Sequence, residues 1–152
     1  MTYRKPTLDD VMHVIREMRE SDVRELTEHP HAGDRVLAET VRDSISVSKH
    51  AFVACHADVP FLMFGCAYSS KWVGTPWLFG TNDMTKHYRE VIKTAPTWLR
   101  LFEESTGVLV NIFDTRNDTH IRWARLMGFV DDESVNINYR YMVRYRSCAY
   151  PH

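Results

Sequence analysis

Net charge is almost absent from this sequence. Its 19 Lys and Arg residues stand against 20 Asp and Glu, a formal net charge of −1 over 152 residues. That balance offers no global attraction to nucleic acid or to an anionic membrane surface. Long apolar runs are missing too, and nothing approaches the ~18 consecutive apolar residues of a membrane span. No apolar stretch follows Arg4-Lys5 near the start, so no signal peptide is expected there. Cysteine is scarce. Cys55, Cys66 and Cys148 cannot all pair within one chain, and their spacing matches no zinc module. A reducing compartment is the expectation. A Cys55–Cys66 disulfide stays open, because both residues fall on neighbouring predicted strands. Repeats, linkers and low-complexity tracts are also lacking.

What is present is ordinary globular composition, 44% hydrophobic and 26% charged, which argues against disorder. A chain of this length buries roughly 68–70% of its unfolded surface, so one core needs no metal or disulfide. We expect a single domain over residues 1–147 and a loose tail over 148–152.

Thr7 reads as an N-cap, with Asp9 and Asp10 in the first helical turn, where the helix dipole favours anions. Val11, Val14, Ile15 and Met18 then recur at helical spacing. Ser21 can cap a short turn from Asp22 to Thr27, Pro30 and Gly33 break helix in a loop, and a second helix runs from about Arg35 to Ser46. The middle is β-rich: strands at Ala51–Cys55, Phe61–Tyr68 and Trp77–Gly80, with turns at Asp58-Val59-Pro60 and Trp72–Pro76. Helix returns after Thr81-Asn82-Asp83, is interrupted at Pro96, and continues through Trp98, Leu99 and Phe102. Val108–Phe113 reads as a buried strand, Asn117–Met127 as a helix ended by Gly128, and Phe129–Asp132 and Tyr139–Tyr145 as final strands. With one further strand at Tyr3–Lys5, the order is β-α-α-β-β-β-α-β-α-β-β. This is an α/β (α+β) domain with a mixed, mostly antiparallel sheet. The long helical crossover permits the strands near Trp77 and Val110 to lie parallel.

The segment Asn117-Asp118-Thr119-His120-Ile121-Arg122-Trp123-Ala124-Arg125-Leu126-Met127-Gly128-Phe129 resembles the last helix of the GCN5-related N-acetyltransferase (GNAT) superfamily. That pattern is an Asn, an amphipathic helix, and Gly-Phe eleven and twelve residues later. The order of elements resembles the GNAT fold from end to end. Arg4-Lys5-Pro6-Thr7 through Met18–Asp22, Pro76–Asp83, and His120–Trp123 with Gly128 resemble, more closely, small GNAT-like proteins of short-tailed phages, the group that includes internal virion protein A.

The resemblance implies acetyl-CoA as the cofactor if the chain is an enzyme. Acetyl transfer needs a cradle for the CoA pyrophosphate, normally a Gly-rich loop feeding a helix N-terminus. Gly80-Thr81-Asn82-Asp83-Met84-Thr85-Lys86-His87 falls at that place and holds one glycine, with an acid near the helix start. Phe79, Gly80, Thr81 and Asn117 are the candidate cofactor contacts, and helix capping by Thr81, Asn82 or Asp83 is the simpler reading. The family's usual Tyr acid, seven residues after the Asn, is Ala124 here; Tyr139 or Tyr141 could replace it. Asp114 and Asp83, at the ends of the two strands expected to splay, are the candidate bases, and His120 is a third. Turn chemistry competes for Asp114, and simple solvation for His120.

His29-Pro30-His31 with Asp34 reads as a solvated loop, a two-His metal site being the open alternative. The aromatics Tyr68, Trp72, Trp77 and Phe79 read as packing rather than base stacking beside Lys71. Arg140, Arg144 and Arg146 read as a solvated face opposite Tyr139, Tyr141 and Tyr145. The departures from the family fall on the chemistry and spare the core. The expectation is therefore a phage GNAT-fold protein with a virion-internal, assembly or ejection role and weak or absent acetyl transfer, in the host cytoplasm or the virion. Its partner would be a phage or host protein. The alternatives are an active N-acetyltransferase on a host or phage amine, or an inhibitor of a host protein.

Overall fold

The computed structural model describes residues 1–30 and 36–146. The chain runs β1 (Thr2–Arg4), α1 (Leu8–Arg16), α2 (Glu20–Glu28), α3 (Leu37–Ser46), β2 (Ser48–His56), β3 (Val59–Tyr68), β4 (Val73–Gly80), a 3₁₀ helix (Asn82–His87), α4 (Tyr88–Glu103), β5 (Val108–Asp114), α5 (Asp118–Leu126), β6 (Val130–Ser134) and β7 (Tyr139–Tyr145). The seven strands among the described residues form one sheet in the order β1-β2-β3-β4-β5-β7-β6. Every pairing is antiparallel except β4 with β5, the pair joined by the helical crossover. Among the described residues, no helix is long and apolar enough to cross a membrane.

Strand alternation sends side chains to two cores. On one face Leu62, Phe64 and Cys66 of β3 meet Val91, Ala95, Leu99 and Phe102 of α4 and Ile121 and Ala124 of α5. On the other, Val53 and Cys55 of β2 and Met63 of β3 meet Val14 of α1, Met18 just beyond it and Val41 of α3. The start of α1 is locked as its sequence indicates. The Asp10 N–H donates to Thr7 Oγ1 at 3.3 Å and the Thr7 N–H to Asp10 Oδ2 at 2.7 Å, a reciprocal cap. Arg4 also grips Asp10, and its hydrogen bond is the main reason that the buried carboxyl is held down to about 2.

Several details depart from expectation. The turn at Asp22–Thr27 is a full helix whose N-cap, Arg19, makes no side-chain cap bond. Pro96 does not interrupt α4. The apolar face packed on the sheet outweighs the ~3 kcal/mol penalty of an interior proline. The β2–β3 turn is centred on Ala57 and Asp58, both at positive φ, which leaves Val59 and Pro60 inside β3. Cys55 lies opposite Pro60 and Cys66 opposite His50, so about 17 Å of strand separates them and no disulfide joins them. The Arg face of β7 is solvated only in part: Arg146 is exposed and Arg140 half-exposed, but Met142 is fully buried and Arg144 Nε donates to the buried Glu103 of α4 at 2.6 Å. Tyr145, expected on the core face, is exposed.

Candidate functional site

Strands β4 and β5 pair only at Val73–Val108 and Gly74–Leu109, and beyond that they diverge. Asn111 Nδ2 donates to Pro76 O at 2.6 Å across the start of the gap. The gap opens a cavity of about 640 Å³ that reaches both faces of the sheet. Glu25 and Leu26 of α2 and Ser44 of α3 line one end, while Trp98 and Leu99 of α4 and Trp123 of α5 line the other. A smaller recess of about 340 Å³ adjoins it through Leu78, His120 and Trp123, with Arg19, Asn82, Tyr88 and Asn117 on its rim.

His120 stands where the two spaces meet. Asn117 accepts the His120 N–H at 3.2 Å as the N-cap of α5, which fixes the ring over Phe113. His120 Nδ1 lies 3.2 Å from Glu25 Oε2, and both side chains are largely buried. Burial pushes the imidazole down, but the Glu25 carboxylate and then Asp22 outweigh it and hold His120 above its ordinary 6.5. The pair leaves Nε2 as the ring's other proton site. It is an acid–base element in reach of the cavity. Glu25 was not singled out from the sequence, and no local pattern marks a partner on a helix 95 residues away.

The other candidates sit differently. Asp114 is 1% exposed; Arg116 N and Nε donate to it at 2.9 and 2.8 Å, and Arg24 Nε lies 3.3 Å away. Burial would raise this carboxyl, but Arg116 and Arg24 outweigh it and keep it below the ordinary range. That setting opposes a base role, since protonation must compete with two guanidinium groups. Asp83 is exposed and bonded to Lys86 Nζ at 2.6 Å, which lowers its carboxyl; it lines neither space. Ala124 is fully buried in the core, and neither Tyr139 nor Tyr141 lines the cavity. Phe79 lines the cavity with its ring stacked on Trp77. His29 faces Tyr139, while His31 and Asp34 lie outside the described residues. No group of three or more metal-ligating side chains occurs among the described residues.

The junction between β4 and the following helix decides whether an anion can be cradled. The Gly80 N–H donates to the buried Asp22 Oδ2 at 2.7 Å, and Asp22 also holds Arg19 through Nε and Nη2. The Thr81 N–H donates to Phe61 O at 2.9 Å and the Asn82 N–H to Glu17 O at 3.3 Å. Three successive backbone donors are therefore spent inside the chain. The space over Gly80 is also taken: a Cβ there would lie 2.6 Å from Met84 Sδ and 3.3 Å from Arg19 Nε. Thr81 caps the 3₁₀ helix by backbone geometry, without a side-chain bond.

This architecture is the GNAT fold. Solved structures of that fold align over nearly the whole chain. The GNAT domain of S. lividans PAT matches with TM-score 0.70 at 11% identity, covering 94% of this chain and 89% of that one. Ard1 from Thermoplasma volcanium matches with TM-score 0.69 at 18% identity, covering 95% and 96%. AAC(6')-Ib, solved with ribostamycin and coenzyme A, matches with TM-score 0.65 at 15% identity, covering 95% and 93%. No protein-family profile and no curated protein sequence matches the chain.

Proposed function

We propose that this chain keeps the GNAT fold as a binding and assembly scaffold of a phage, inside the virion or in its assembly or ejection, with acetyl transfer weak or absent. The observation that carries the loss of chemistry is the filled cradle: Gly80, Thr81 and Asn82 donate to Asp22, Phe61 and Glu17, and Met84 occupies the approach. A pyrophosphate needs such N–H groups free. Here they are not, and the nearest helix-start charge is Asp83. The residues at this junction do not fit CoA. The phage assignment rests on the likeness of the N-terminal stretch, of Pro76–Asp83 and of His120–Trp123 to small phage GNAT-like proteins.

A second reading, acetyl transfer to a host or phage amine, is favoured by one observation, the Glu25–His120 pair beside an open cavity. Calorimetric titration with acetyl-CoA separates the two. No heat at millimolar ligand is the expected result. A micromolar Kd, about −8 kcal/mol, would overturn it. Recovery of the protein from purified particles supports the virion role. Its absence from them, with capture on a host protein, points to an inhibitor instead.

A further inference from the structure

Helix α2 closes one end of the cavity, yet little apolar surface holds it there. Its sequence, Glu20-Ser21-Asp22-Val23-Arg24-Glu25-Leu26-Thr27-Glu28, carries two apolar residues, Val23 and Leu26, in nine. Both are half-buried, against the core that contains Val14 and Val41. So narrow a stripe does not fix a short helix, which is marginal by itself in water. Polar contacts supply the rest, and they go to both sides of the split between β4 and β5.

The start of α2 is anchored to β4. Met18 bridges Thr81, the Arg19 N–H donates to Gly80 O at 2.9 Å, and the Gly80 N–H donates to the buried Asp22 at 2.7 Å. The rest of the helix reaches across to β5 and α5. Arg24 Nε lies 3.3 Å from Asp114 Oδ2, an ion pair without hydrogen-bond alignment. Glu28 Oε2 accepts from Arg116 Nη2 at 2.8 Å, and Glu25 Oε2 lies 3.2 Å from His120 Nδ1. The two sets of contacts differ in strength. Asp22 is 3% exposed, whereas the side chains of Arg24, Glu28 and Arg116 are 38%, 52% and 37% exposed. Exposed pairs hold weakly and are screened by salt; a buried anchor is screened much less. Behind Glu25 and Leu26 lies the aromatic wall of the cavity, with Phe64, Trp98, Phe113 and Trp123.

We propose that α2 is a lid. It pivots on its anchor to Gly80, latches to the β5–α5 side through Arg24, Glu25 and Glu28, and uncovers the cavity when the latch is released. Closure also assembles the Glu25–His120 pair, because its two members sit on opposite sides of the latch. The acid–base element of the cleft is therefore complete only over a closed cavity. The lid does not depend on whether the cleft takes CoA.

The test uses the full chain and the latch variant Arg24→Gln/Glu28→Gln. Neither change strands its partner, since Asp114 and Arg116 keep each other at 2.8 Å. Ala95→Cys places a reporter thiol at a buried position on the cavity wall, and Cys148→Ser leaves Cys55 and Cys66, both buried, as the native thiols. Labelling of the reporter is followed by mass spectrometry at low urea concentrations, with circular dichroism showing that each variant is folded. Through a lid, labelling scarcely depends on urea; through global unfolding, it rises with the full urea slope. The expected result is a flat urea dependence, and labelling about fivefold faster in the latch variant, the worth of two exposed ion pairs. About 1 M sodium chloride, which cuts the screening length to about 3 Å, speeds the wild-type latch in the same direction. Hydrogen exchange localises the opening: amides in the second half of α2 exchange at least about tenfold faster than those of β3, because an unlatched α2 frays. Labelling with the global urea slope, labelling indifferent to both the latch variant and salt, or α2 amides as protected as those of β3 overturns the proposal.

Discussion

Asp22 is the most exposing place to perturb this protein. It is 3% exposed and makes contacts that join the start of α2 to the end of β4. Arg19 Nε and Nη2 donate to it at 3.1 and 2.7 Å, and the Gly80 N–H at 2.7 Å, so α2 is tied to the end of β4. Asp22→Ala removes all of these bonds. The Gly80 N–H is then left buried without a partner, which costs about 1–3 kcal/mol. Arg19 loses its counter-ion too. Its side chain is 21% exposed, so water recovers part of that loss, and about 1 kcal/mol is a fair share. The sum is about 3 kcal/mol, or a fall in Tm of roughly 6–12 °C for a domain of this size. Asp22→Asn keeps an oxygen for Gly80 and loses only the charge, so its cost is about 1 kcal/mol, roughly 2–4 °C. Thermal unfolding followed by circular dichroism measures both. The reasoning fails if the two variants are equally destabilised, for then the bond to Gly80 carries nothing. It also fails if Asp22→Ala costs less than about 1 kcal/mol.

Four further outcomes are expected. Because His120 is held above 6.5, its pairing with Glu25 contributes stability that is complete below pH 6.5 and fades as pH rises through the folded value; Glu25→Gln lowers the imidazole pKa in an NMR titration and removes that slope. Asp10 behaves oppositely. Its carboxyl is held down to about 2 against an ordinary 3.8, so its contribution is present above pH 3.8 and disappears as pH falls through about 2, and Arg4→Met flattens that acid limb of a urea-stability profile. Gly128→Ala costs about 2 kcal/mol in urea unfolding, since Gly128 has φ +86° and an added Cβ would lie 2.6 Å from Arg144 Nη1. Ala57→Asn, at φ +47° in the β2–β3 turn, raises stability by about 0.5–1 kcal/mol in the same assay.

The sequence carried the local features of this structure and missed those that depend on distant pairs. The cap at Thr7 and Asp10, the helix of α5 closed by Gly128 and the buried strand Val108–Asp114 are set within a few residues, and each is readable as written. The parallel β4–β5 pair was readable because a long crossover permits it. Pro96 misled because propensity is a local penalty, and α4 is held by packing against the sheet. Arg144 misled because strand alternation says which side chains share a face and not what covers it. Among the site residues, His120 and Gly80 were in view, yet their partners Glu25 and Asp22 were not. Both lie on α2, 95 and 58 residues away, in a stretch that reads from the sequence as no more than a short turn capped by Ser21. The guanidinium partners that quiet Asp114 mix a near neighbour, Arg116, with the distant Arg24.

The short β4–β5 seam has a mechanical side. Strands β1–β4 form one plate and β5–β7 another, and they are stitched at Val73–Val108 and Gly74–Leu109, with Asn111 as a strut to Pro76 just beyond. A sheet joined along its whole length resists bending as a single body. This one has its stiffness divided, and its compliant line runs through the middle of the molecule. Opening or closing the two plates like the covers of a book bends few ladder bonds, while the width between Leu78 and Phe113 changes at the far end of the lever.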